Sequence, residues 1–268
     1  MACTAREHDR EVMLKRIAFF LYGVLCYSIF LITFLYAVGF IGGFGVPKSL
    51  DSRDTGPLAA SVAIDAGLLA LFAVQHSVMA RRWFKERWTR IVPPAIERST
   101  YVLFSSAALL LLFWQWRPLG GVIWSVSDPV ARILVWSLFA FGWALLLLST
   151  FLINHFDLFG LRQVWLFLRG RPYTHLTFRT PGPYRLVRHP LYVGWLFAFW
   201  STPTMTAAHL FFAVMTTAYI LVAIQFEERD LVHFHGDAYE QYRQRVPMLV
   251  PGLKARAAHE SASDMLPS

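Results

Sequence analysis

Cysteine is almost missing: the 268-residue chain has two, Cys3 near its start and Cys26 inside an apolar run. One such pair builds neither a disulfide framework nor a cysteine-based metal site, and both thiols are expected to be reduced. Charge is scarce too, at 16% of residues against 56% hydrophobic. That balance belongs to a protein whose solvent is largely lipid. The paired-histidine clusters that hold two irons are absent, since the nine histidines are scattered and only His233 and His235 stand close together. No metal is expected, although His76 and His155 at one membrane depth would in principle satisfy a haem iron. No internal repeat is visible. The first apolar run is too long for a signal peptide and lacks a small-residue cleavage pattern, so it is an uncleaved span.

What is present is a series of apolar runs, four of them long enough to cross a bilayer as helices: 17–41, 57–80, 100–116 and 130–153. A polar stretch follows, then two further runs, 191–200 and 209–226, joined by STPTMTAA. The first of these is too short to span alone. The expected fold is therefore an all-α polytopic membrane bundle of about five to six segments, the last two forming a hairpin. It is read as a single domain over 1–268: a four-helix membrane part at 17–153, a cofactor-binding part at 154–251 and a disordered tail at 252–268.

The formal net charge of +8 does not mark a nucleic-acid binder. With the N-terminus placed in the cytoplasm, 21 of the 25 Lys and Arg residues fall in inside segments, all but Lys48, Arg53, Arg117 and Arg132. That asymmetry orients a multi-pass protein of the cell membrane with both ends cytoplasmic.

Polar groups inside or beside apolar helices are costly and tend to mark function. On this topology Gln75, His76, Asn154, His155, Asp157, Arg162, Gln163, His189, Glu227 and Glu228 all lie at cytoplasmic helix ends. Singly, such a helix-end residue is more often a cap or an interface residue than a catalyst. Asp65, within the second span, is as readily a hydrogen bond to a neighbouring helix as a functional group.

The block GPYRLVRHPLYVG, 182–194, has a definite physical reading. Pro190 suits the first turn of a helix and pushes His189 into an extended conformation at its entrance. Helix N-terminal amides carry partial positive charge, so a carboxylate can dock there. Gly194, one turn in, is expected to let a bulky ligand approach the backbone. Glu227 and Glu228 supply acceptors for a cation or for ribose hydroxyls, and Tyr239 and Tyr242 fall near one helical face. A zwitterionic amino acid carried on a sulfonium and a nucleoside, as in S-adenosylmethionine, fits these partners together. Structural caps and interfacial anchors fit them separately.

These residues also carry a resemblance. The pattern GPYRxVRHPxYxG, then EExxL at 227–231, then GxxYxxYxxxVPxxxP at 236–251 resembles the membrane methyltransferases that include the isoprenylcysteine carboxyl and phospholipid enzymes. LFAVQHSVMARRWFK, ERSTYVLFSSAALLLLFWQWRP and NHFDLFGLRQVW look like the methanethiol S-methyltransferase branch, and the NnrU-like membrane proteins share the general look. His235 stands where the family often has Phe.

The resemblance implies S-adenosylmethionine held at the cytoplasmic face by Arg185, Arg188, His189, Tyr192, Gly194, Glu227, Glu228, Tyr239 and Tyr242. It also implies a small thiol as substrate, methanethiol, made into dimethyl sulfide beside the lipid bilayer. The thiolate is the nucleophile, so a base or a positive field is needed. His76 and His155 are the expected bases, with Asp157 orienting an imidazole, Arg162 favouring the anion, and Gln75, Asn154 and Gln163 lining the thiol. A network that merely closes the cofactor pocket is the competing expectation for the same residues. A prenylated cysteine or phospholipid acceptor, or an accessory protein without turnover, are the competing functions.

Overall fold

The computed structural model describes residues 2–52 and 56–253. Most of the expected disordered tail, from residue 254 on, lies outside the described residues. Five helices are long and apolar enough to cross a membrane: α1 (Ala2–Gly42), α2 (Leu58–Ala80), α4 (Pro94–Gln115), α5 (Pro129–Ile153) and α9 (Ala207–His235). Between them lie α3 (Arg82–Trp88), β1 (Val122–Ser125), α6 (His155–Leu158), α7 (Leu161–Leu168), a 3-10 turn at Gly182–Arg185, α8 (Pro190–Trp200) and β2 (Thr204–Thr206). A last helix, α10 (Asp237–Arg245), follows α9. The protein is a polytopic membrane helical bundle.

Proline and short polar residues set the ends. Pro57 and Pro93 precede α2 and α4 in extended conformations, as expected where a missing N–H removes no helical bond. Asp128 caps α5 by accepting from the Ala131 N–H at 2.8 Å, and Thr206 caps α9 by accepting from the His209 N–H at 3.1 Å. Two helices run past their apolar cores. α1 begins at Ala2 rather than near Ile17, and α9 continues nine residues beyond Phe226 to His235, because charged straight-chain residues such as Arg, Lys and Glu propagate a helix once it has left the lipid.

α8 and α9 form a hairpin in which α8 is half a span. The missing length is made up by β2, which pairs antiparallel with β1 in the register Val122↔Thr206 and Ser125↔Thr204. That ribbon, with Asp51 bonded to Thr206 and His209, gathers the loops after α1, α4 and α8 at one end of the bundle. The other end carries α3, α6, α7 and α10. Asp65 belongs to the first end: fully buried, its Oδ1 accepts the Arg117 N–H just beyond α4 at 2.8 Å.

α8 is held chiefly by α5, through a crossing of two glycines. A methyl group on Gly194 would stand 2.7 Å from the Gly142 carbonyl oxygen and 2.8 Å from the Leu146 nitrogen. The core continues through Phe40, Phe113, Trp116, Trp143 and Phe212.

Candidate functional site

The site is built where two distant segments zip together. The Arg188 N–H donates to the Pro247 carbonyl at 2.8 Å and the His189 N–H to that of Met248 at 3.2 Å, so the turn into α8 lies along the chain leaving α10. Pro190 opens α8 as the His-Pro step predicts, and His189 before it is non-helical (φ −125°, ψ 62°), its ψ falling short of the extended conformation expected there. Arg188 donates through Nε to Glu228 Oε1 at 2.7 Å and through Nη1 to the carbonyls of Val246 and Arg243 at 2.7 and 3.0 Å. His189 meets the same Glu228 oxygen through Nε2 at 3.0 Å. Since a carboxylate only accepts, that ring nitrogen carries the hydrogen.

The two glutamates have different surroundings. Glu228 is 9% exposed in its side chain and engaged by both neighbours, whereas Glu227 is 43% exposed and accepts from the Tyr192 hydroxyl at 2.8 Å. Glu228 therefore fixes the frame, and Glu227 presents an oriented carboxylate outward.

Beside this frame Phe178 packs on Tyr239 and Tyr242 at 5.8 and 5.5 Å between ring centres and on His235 at 5.0 Å. Tyr242 donates to the Tyr184 carbonyl at 2.6 Å. Burial pushes its phenol up to about 12 and raises that of Tyr239 as well, so both rings are neutral aromatic surface. The Tyr239 hydroxyl is buried and has no hydrogen-bond partner among the described residues. A cleft of about 330 Å³ opens here, lined by Phe178, Thr180, Arg185, Tyr242, Arg245 and Val246 among others. Gly194 is not part of it. The space its missing side chain leaves is filled by α5, so its role is helix packing rather than ligand approach.

The remaining candidates form three separate groups. His76 and Gln75, near the end of α2, meet α4: His76 Nδ1 lies 3.2 Å from Ser105 Oγ, and its Nδ1 and Nε2 lie 3.0 and 2.9 Å from the Tyr101 hydroxyl. Ser77, next in sequence, bonds the Tyr219 hydroxyl of α9 at 3.1 Å. Arg81, just past the end of α2, donates to Asp230 of α9 at 2.8 Å, which places this group beside the turn of α9 that carries Glu227. Sequence reasoning missed Tyr101, Ser105 and Tyr219, although Tyr101 and Ser105 one turn apart in an apolar helix were a signal.

His155 forms the second group. Thr150 gives its own hydrogen to the Leu147 carbonyl at 2.7 Å, so at 2.9 Å it accepts from His155 Nδ1–H. Nε2 then accepts from the Tyr27 hydroxyl at 2.8 Å, and Phe151 stacks on the ring at 4.2 Å. Burial lowers the imidazole's affinity for a proton.

In the third group Asp157 does not orient an imidazole. Its carboxylate accepts from Arg162 at 2.8 Å, Gln163 at 3.4 Å and the Tyr173 hydroxyl at 3.3 Å, because the turn after α6 faces the returning chain. Asn154, with φ of 101°, accepts the Asp157 N–H at 3.1 Å and so starts that turn. Arg162 also bonds the carbonyl and hydroxyl of Thr174 at 2.9 Å. Together they pin the irregular segment 171–181, which carries Phe178 to the aromatic cleft.

Among known proteins the chain is 60% identical over 238 residues to a methanethiol S-methyltransferase of Crocosphaera subtropica, covering 89% of this chain and 93% of that protein. It is 55% identical over 238 residues to the Mycobacterium tuberculosis protein of the same name, covering 89% and 98%. A weaker likeness, 29% over 189 residues, joins it to nurim of Xenopus laevis across 68% of this chain and 66% of that one. No family model and no solved structure matches it. Identity of this degree along nearly nine-tenths of the sequence settles kinship: the chain belongs to the methanethiol S-methyltransferase family.

Proposed function

We propose that this chain moves the methyl group of S-adenosylmethionine to methanethiol, forming dimethyl sulfide and S-adenosylhomocysteine, at the end of the bundle that carries α3, α6, α7 and α10. The observation that carries the reading is the Arg188, His189 and Glu228 frame with the open Glu227 carboxylate beside it, in a chain so close to proteins named for this reaction. The bias of basic residues toward that end supports its cytoplasmic placement.

The residues present fit the donor. Glu227 offers an oriented acceptor for ribose hydroxyls or an ammonium group. Phe178 and Tyr242, their rings 69° apart, offer an aromatic wall with a face for a base, Arg185 in the cleft lining suits a carboxylate, and the unpartnered Tyr239 hydroxyl is a buried donor that a ligand acceptor would satisfy. When bound, the donor supplies an electrophilic methyl on a positively charged sulfur. Glu228 and Arg188 keep this wall and the α8 entrance in register, and Tyr192 fixes which way Glu227 points.

The thiol must lose its proton, since a free thiol with a pKa near or above about 8.5 is mostly protonated at neutral pH. His76 is favoured over His155 as the base. Both ring nitrogens of His155 are committed in one tautomer, whereas His76 faces only hydroxyls that donate or accept as required. Arg81 and Arg98 lie within electrostatic reach of His76 and favour an anion there, a part expected of Arg162. Asn154, Asp157, Arg162 and Gln163 act by pinning the Phe178 segment.

Donor labelled in its methyl group, given to purified protein with methanethiol, a prenylated cysteine and phospholipid together, tests the reading. The label should leave as a volatile product. Label in extracted lipid or prenyl acceptor would replace the substrate, and none transferred would remove the activity.

A further inference from the structure

Among the residues gathered round His76, the Gln75 side chain leaves one polar atom without a partner. The Gln75 amide nitrogen reaches Met79 Sδ at 3.1 Å and Ser105 Oγ at 3.4 Å, yet its Oε1 is buried with no partner among the described residues. A buried acceptor left unpaired costs roughly 1–3 kcal/mol, a cost that a ligand's hydrogen-bond donor removes. His76, the next residue, shares Ser105 with Gln75. It also shares a helix face with Phe72, which stacks on its ring at 5.2 Å.

The two hydroxyls around His76 suit a group that changes protonation. Tyr101 is 8% exposed, with the Arg98 guanidinium over its ring at 5.7 Å, which holds it in place. Ser105 lies one turn further along α4. Toward a neutral imidazole a hydroxyl donates; toward a protonated one it turns and accepts. The ring is thus held in both states without a fixed negative charge that would keep it protonated. A carboxylate partner would do that, and among the described residues the hydrogen-bond partners of His76 are hydroxyls.

We propose that the Gln75 and His76 pair is the thiol-receiving site, the single S–H hydrogen resting on Gln75 Oε1 as the thiol binds and then turning about the C–S bond to His76, which takes the proton, with Tyr101 and Ser105 as the residues that position His76. The assignment rests on the thiol methyltransferase reading above. In the step, the S–H bond breaks as an N–H bond forms on His76, the sulfur keeps the electron pair, and His76 later passes its extra proton to water. One proton is released per turnover.

The test compares methanethiol with methaneselenol, whose more acidic hydrogen leaves it anionic at neutral pH and in no need of a base. Rates are measured for the parent, His76→Ala, Tyr101→Phe, Ser105→Ala and Gln75→Leu, with donor affinity by calorimetry. With methanethiol, His76→Ala should lose about 100-fold in kcat and Tyr101→Phe about 10-fold, in line with a positioned base, at unchanged donor affinity. With methaneselenol both deficits should shrink to within about 2-fold of the parent. Gln75→Leu should raise KM for methanethiol more than it lowers kcat. An equal deficit with both acceptors, or a Tyr101→Phe enzyme as fast as the parent, overturns the assignment alone. Should Tyr101→Phe fail to fold, Ser105→Ala carries the same comparison. A parent that methylates neither acceptor overturns the functional reading and this assignment together.

Discussion

Glu228→Gln is the sharpest perturbation of the frame, because glutamine keeps the shape and removes the charge. In the folded protein Arg188 and Glu228 are 6% and 9% exposed in their side chains and 2.7 Å apart, so solvent screens the pair little. Removing one partner of a buried pair costs about 3–5 kcal/mol. Two features reduce that figure here: Arg188 keeps the carbonyls of Val246 and Arg243, and the glutamine oxygen still accepts. What remains is the strengthening that charge gives to the bonds from Arg188 and His189, about 1.5–3 kcal/mol in all. For a chain of this size that corresponds to roughly 3–12 °C in unfolding midpoint. Fluorescence-detected thermal unfolding in detergent reads it. Arg188→Lys should fall at least as far, since an ammonium cannot span one carboxylate and two carbonyls in a planar fork. A Glu228→Gln protein that melts with the parent would refute the claim that this carboxylate is structural and charged.

Other perturbations follow from the same geometry. Gly194→Ala drives a methyl into the backbone of α5 and should cost about 1–3 kcal/mol, seen as a lower unfolding midpoint; an unchanged midpoint would contradict the close crossing. His155 has a folded-state proton affinity lowered by burial from its ordinary 6.5. Its contribution to stability is therefore complete above that value and lost as pH falls below it. Unfolding measured from pH 7.5 to 5 should show that loss in the parent and less of it in His155→Gln, and parallel curves would count against it. Tyr173→Phe and Asp157→Asn loosen the segment bearing Phe178, and should weaken donor binding several-fold with little change in kcat once the donor is saturating. A fall confined to kcat would return Asp157 to the chemistry.

The five spans were legible because each is a long apolar run, and the half-span α8 because its run is short and begins at a His-Pro step. The pairing of the Arg-His-Pro block with the double glutamate was legible from motif order. The division of labour between Glu227 and Glu228 was not, since it depends on which one α9 turns toward Arg188. Gly194 was misread because the sequence shows a small residue but not what approaches it; its neighbour Gly142 lies on another helix. That both ring nitrogens of His155 are engaged was not legible, because its partner Tyr27 is 128 positions away. Tyr101 and Ser105 look ordinary in an apolar helix until Gln75 and His76 are set against them.

Headspace gas chromatography on detergent-purified protein given S-adenosylmethionine and methanethiol, parent beside His189→Ala, tests the central claim most directly. Dimethyl sulfide from the parent, largely lost in the variant together with donor affinity, is the predicted result. A parent that binds the donor yet makes no dimethyl sulfide, or a variant that binds and turns over undiminished, would contradict it.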